Sequence, residues 1–164
     1  MTLTDRLQTD VKNAMRQGDA LTRDTLRMVL SSVHNAEVAA RRPLTDDELI
    51  GVLTKEAKSR RESIDAYHKV GRDDLADKER AEAAIITAYL PQQLTEDEVN
   101  ALVAQAIRET GATSARDLGK VMGWLSSRTR GRADGKVVSA NVAQELARVD
   151  LAAHDPAHGG VEGA

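Results

Sequence analysis

The stretch Leu3-Thr-Asp-Arg-Leu7-Gln-Thr-Asp-Val11-Lys-Asn-Ala-Met15 decides the fold. Its apolar residues return every fourth position, a spacing that lines one face of an α-helix. The run breaks at Gln17-Gly18-Asp19. A second run, Leu26, Val29, Val33 and Ala36, follows at helical spacing, with Asp19 placed to cap it.

Working outward, Thr45-Asp-Asp-Glu48 is a capping box, in which hydroxyl and carboxylate satisfy free amides of a first turn; it predicts a long third helix to about Val70. Gly71 suits a left-handed helix end, and Asp73 is expected to cap a fourth helix that closes at Tyr89-Leu90 before Pro91. Pro91-Gln-Gln-Leu94 reads as a joint, because a second capping box, Thr95-Glu-Asp-Glu98, follows at once. A fifth helix uses Val99, Leu102, Val103, Ala106 and Ile107 and stops at Gly111. A sixth uses Leu118, Val121, Met122 and Leu125 and stops near Gly131. A seventh, capped by Asp134, runs through Val138, Val142, Leu146 and Val149. No alternating strand pattern and no internal repeat appears. The predicted class is all-α: a four-helix module over residues 1–94, a small three-helix module over 95–151, and a Gly-rich flexible tail over 152–164.

The composition agrees with this. Hydrophobic residues make up 41% of the 164, enough for a core, yet there is no Phe, one Trp and two Tyr, so the core must be aliphatic. Such a core suits small helical bundles. The absence of cysteine excludes disulfides and thiolate chemistry. The first residues carry no basic segment followed by an apolar run, and no window approaches the roughly 18 apolar residues of a membrane span. These features together lead to an expected cytoplasmic location.

Net charge is −3, and residues 1–94 balance 15 basic against 16 acidic side chains. Residues 114–136 differ, with six basic (Arg116, Lys120, Arg128, Arg130, Arg132, Lys136) against two acidic (Asp117, Asp134). This is the clearest positive region. Arginine forks match phosphate oxygens, and the turn near Gly131 offers free amides, so a phosphate-gripping corner competes with simple complementation of a helix dipole.

Other candidates are weaker. Glu79 and Glu82 share a helix face but have no recognisable nucleophile or metal beside them, so ion pairs with Lys55, Lys58, Arg60 or Arg61 are the more economical reading. His154 and His158 stand four apart, but Pro156 and Gly159-Gly160 oppose the rigid helix that a metal grip needs. Gly119 and Gly123 leave a smooth stripe on the sixth helix, for close helix packing or for a partner surface. Trp124 is expected in the core. No catalytic residue, metal or cofactor is assigned.

The stretch Asp117-Leu-Gly-Lys-Val-Met-Gly123, with Gly131-Arg-Ala-Asp-Gly-Lys136 and Val142, resembles the tail of the B subunit of tRNA-dependent amidotransferase. Adding Leu26-Arg27, the run Lys55 to Tyr67, Gly71-Arg72-Asp-Asp-Leu75, Glu79 and Tyr89-Leu-Pro91, the chain resembles free-standing members of the GatB/YqeY family over about residues 1–150. The resemblance implies a helical bundle followed by a small helical module, and a part in holding tRNA. The family is commonly classed with glutamine-dependent carbon-nitrogen ligases, but the cradle domain that performs that chemistry has no counterpart here. The expected function is thus an accessory module that binds tRNA, an amidotransferase or another translation-related protein, with Lys120, Arg128, Arg130, Arg132 and Lys136 on phosphates. The alternative is a protein-interaction adaptor that binds no nucleic acid.

Overall fold

The structure, a computed structural model, describes residues 1–155. Over these residues the chain is all-α: seven α-helices, one short 3-10 turn and no strand. It divides into two compact units, Met1–Pro91 and the residues from Gln92 onward.

The first unit holds α1 (Leu3–Gln17), α2 (Ala20–Ala40), α3 (Asp46–Lys69) and α4 (Asp73–Thr87). Each start has a local cause. The Thr45 and Glu48 box is formed, Asp19 accepts the Thr22 N–H at 3.0 Å, and a further box that the sequence reading did not single out joins Thr2 and Asp5. Asp73 does not cap α4 as expected. It is the first helical residue, its carboxylate is held by His68 Nδ1 at 2.9 Å, and Arg72 occupies the cap without a side-chain bond.

α1 packs chiefly on α2, and α3 on α4. The first buried stripe is Leu3, Leu7, Val11 and Ala14, and Met15 is 53% exposed instead of continuing it. At 3.6 residues per turn a strict four-residue step drifts off the face, and position 14 falls back on it. Leu7, Leu26, Val29, Leu49, Leu53 and Ile86 are fully buried, each contributing about 1.5–3 kcal/mol.

The second unit holds α5 (Glu96–Thr110), a 3-10 turn (Ala115–Asp117), α6 (Leu118–Thr129) and α7 (Gly135–Ala153), the three helices packing pairwise. Val103, Ala106, Val121, Leu125, Val138, Val142 and Leu146 form its aliphatic centre. Residues 92–94 belong here, because the Leu94 N–H donates to Arg132 O at 2.8 Å and Gln93 Nε2 donates to Gly131 O at 2.7 Å. α7 runs to Ala153, past the residue where the tail was expected to begin, and His154 closes it with Nδ1 2.8 Å from Asp150 O. The rest of that tail, with His158, lies outside the described residues.

Candidate functional site

The basic corner is a turn between α6 and α7. Thr129, the last residue of α6, is buried, with its hydroxyl donating to Leu125 O at 3.1 Å; its own carbonyl accepts the N–H groups of Arg132 at 2.9 Å and Ala133 at 3.0 Å. Gly131 is buried at φ +71°, a left-handed conformation that costs glycine nothing and lets the chain reverse. Asp134 then caps α7, its Oδ1 accepting the Lys136 N–H at 2.9 Å. Hydrogen bonds therefore hold the turn on both sides.

Four cations stand on this frame, and none of them is ion-paired to a carboxylate among the described residues. Arg128 folds back along α6: its Nη1 donates to Trp124 O at 2.6 Å and its guanidinium lies 3.6 Å from the centre of the Trp124 ring. Arg132 is half-buried and its Nε donates to Gln92 O at 3.0 Å, which fixes the side chain. Arg130 and Lys136 are exposed. Lys120 does not join the corner. It lies eight residues before Arg128 on α6, about 12 Å along the axis, beside Asp117. The Asp117 carboxyl sits below the usual aspartate range, chiefly because it accepts the Thr113 N–H at 2.8 Å, with the Ser114 N–H and Lys120 adding to the effect.

Gly119 and Gly123 are both exposed, and a Cβ added at either would meet nothing within 4 Å. The close helix packing expected at this stripe is absent among the described residues. Trp124 is partly buried against the second core, with Arg128 covering its ring.

In the first unit the ion-pair reading of Glu82 holds. Glu82 is buried, its Oε2 3.5 Å from Arg60 Nε; Arg60, only 5% exposed, also binds the Glu56 carboxylate, which accepts the Ser32 hydroxyl at 2.7 Å. Glu56 went unremarked in the sequence, although its i,i+4 spacing to Arg60 was a readable signal. Arg60 Nη2 is buried without a hydrogen-bond partner. The Tyr89 hydroxyl donates to the Asp10 carboxylate, and partial burial with this acceptor pushes its ionisation well above the usual tyrosine range. Among the described residues no three His, Cys, Asp or Glu side chains gather as a metal would need.

Comparison with known proteins matches residues 4–146 to a family described as Yqey-like protein. The chain belongs to this YqeY-like family. It is 35% identical over 142 residues to the protein named altered inheritance of mitochondria protein 41, mitochondrial, of Pyrenophora tritici-repentis, covering 84% of this chain and 77% of that relative. It is similar to proteins of the same name from Vanderwaltozyma polyspora, 26% identical with 87% and 81% covered, and from Eremothecium gossypii, 40% identical with 51% and 46% covered. These names correct the cytoplasmic placement expected of the YqeY-like chain, since they point to the mitochondrion. Lack of cysteine and of a long apolar run does not separate the two compartments, because location is set by an address signal and not by the fold.

Proposed function

We propose that this YqeY-like chain binds folded RNA, transfer RNA in the first place, through backbone phosphates gripped at the α6–α7 corner. One observation carries the reading: Arg128, Arg130, Arg132 and Lys136 lie within nine residues and, among the described residues, none is ion-paired to a carboxylate. Uncompensated arginines on a fixed turn suit phosphate oxygens, and contacts of this kind follow the shape of an RNA. The likeness to the amidotransferase tail names tRNA as the first RNA to try. In this reading the chain is an accessory module, with no catalytic step assigned to its residues.

If three or four of these cations meet phosphates, log affinity for unmodified tRNA falls against log salt with a slope of about −3. Arg130→Ala with Lys136→Ala removes two contacts without touching a hydrogen bond of the turn, since only the Lys136 backbone takes part in the cap. The slope should drop by about 1.5–2, and affinity should weaken alike for every tRNA. Indistinguishable titrations of wild type and double variant would remove the RNA reading. They would leave the adaptor reading in its place, which the outward-facing Gly119 and Gly123 favour.

A further inference from the structure

We infer that the cavity beside this corner takes one unpaired nucleobase, a guanine by its hydrogen-bonding pattern, from the RNA held on the corner. This rests on the RNA reading above and adds base recognition to it. The cavity has a volume of about 310 Å³, the small end of the range for ligand sites and suited to one flat group. Leu94, Val99, Ala133 and Val137 give it apolar walls. Its polar groups come from the first turn of α5, the corner itself and the second turn of α7: Glu96, Arg132 and Asn141.

The charge balance separates this cavity from the corner outside it. Glu96 offsets the single lining cation Arg132, so a bare phosphate gains little inside while Arg130 and Lys136 face phosphates without. A neutral ligand that offers hydrogen-bond donors is what such a lining accepts. Asn141 Nδ2 donates to Asn100 Oδ1 at 3.2 Å, which turns the Asn141 carbonyl oxygen into the acceptor available to a ligand. The Glu96 carboxylate is a second acceptor. Guanine carries adjacent donors, N1–H and the N2 amino group, on one edge, and two acceptors, O6 and N7, on another.

Arginine forks recognise the O6 and N7 pair in two-bond fashion. With Nε of Arg132 engaged by Gln92 O, its two terminal nitrogens are the ends presented for such a pair. Uracil and cytosine lack one or both of these paired edges. The cavity has no aromatic wall, so the base is read by its edges and not by stacking. Trp124, the one indole of the chain, is covered by Arg128.

The test uses the full chain and two hairpin RNAs that differ in one loop nucleotide, an unpaired guanosine or an unpaired uridine, each titrated at several salt concentrations. Wild type should bind the guanosine hairpin about tenfold more tightly, the scale of one good two-bond contact, with the same salt slope for both. Val137 is 52% exposed, so Val137→Trp fills the cavity from its open side without entering the core. It should abolish the preference and leave the slope unchanged, and Glu96→Gln should reduce the preference. Equal wild-type affinities with the slope intact would overturn the base site alone. A preference that survives in Val137→Trp would overturn it as well. Absence of salt-dependent binding to either hairpin would overturn the RNA reading and the base site with it.

Discussion

The first unit pairs several of its arginines with its own carboxylates, and the α6–α7 corner of the second does not. In the first, Arg23 pairs with Asp24, Arg42 with Glu48, Arg72 with Asp74 and Arg80 with Asp77, all at the surface, and Arg60 is buried between Glu56 and Glu82. In the second unit, Arg128, Arg130, Arg132 and Lys136 rest on a ring, on backbone carbonyls or in solvent. The polar interiors differ in the same sense: Arg60, Glu82 and Thr25 are buried in the first unit, Thr129 alone in the second among the described residues. The same side chains therefore have two uses. An arginine between carboxylates holds helices together, whereas one without a carboxylate keeps its charge uncompensated within the fold.

The comparison breaks most visibly at Arg60. Arg60→Ala would leave Glu56 and Glu82 facing each other without their cation in a poorly solvated place, and should cost about 3–5 kcal/mol in a urea titration. Arg130→Ala, with no partner to strand, should change stability by less than about 0.5 kcal/mol. Comparable losses for the two variants would mean that the corner is as structural as the buried network, and the division of roles drawn here would fail.

What could be read in advance followed the range of the interaction. The capping boxes at Thr45 and Thr95, the left-handed Gly71 and the helix stops at Gly18 and Gly111 depend on a few adjacent residues, so the sequence carries them whole. The bracing of Arg128 on Trp124 is also local, four residues apart, but only the fold shows that Trp124 packs part of its surface on the second core and leaves a ring face to the guanidinium. Burial of Glu82 depends on α3 lying against α4, and the grip of Arg132 on Gln92 O spans 40 residues. The cavity is further from reach still, since Leu94, Val99 and Val137 meet only after the second unit has folded. Charge excess marked the region in sequence; which cations stay unpaired depends on the tertiary fold.

A smaller effect, of opposite sign, sharpens the contrast at the glycine stripe. Glycine inside a helix is less stable than alanine by about 0.5–1 kcal/mol, and at Gly119 and Gly123 an added methyl group meets nothing within 4 Å. Gly119→Ala with Gly123→Ala should therefore raise stability by about 1–2 kcal/mol in the same urea titration. A loss of stability would show that the backbone of α6 needs those glycines. A gain in stability accompanied by loss of a co-purifying protein would assign the stripe to a partner.

The smallest expected effect lies at Glu48 and concerns pH. Its carboxyl is held at about 2, against an ordinary value of 4.5, first by the Arg42 guanidinium at 2.7 Å and next by the Thr45 N–H of the capping box. The folded state thus binds this proton less readily than the unfolded chain does. The stabilisation is complete above about 4.5 and is lost as pH falls towards 2. Glu48→Gln retains a capping-box residue at that position but has no charge to lose. The wild type should have the higher Tm at pH 6, and its advantage should shrink through pH 4.5 to 2. The pair is exposed to solvent, so the advantage is modest and added salt should narrow it further. A Tm difference that stays constant from pH 6 to pH 2 would show that Glu48 supports the first unit through its hydrogen bonds only, and the self-neutralising account of that unit would then rest on the buried Arg60.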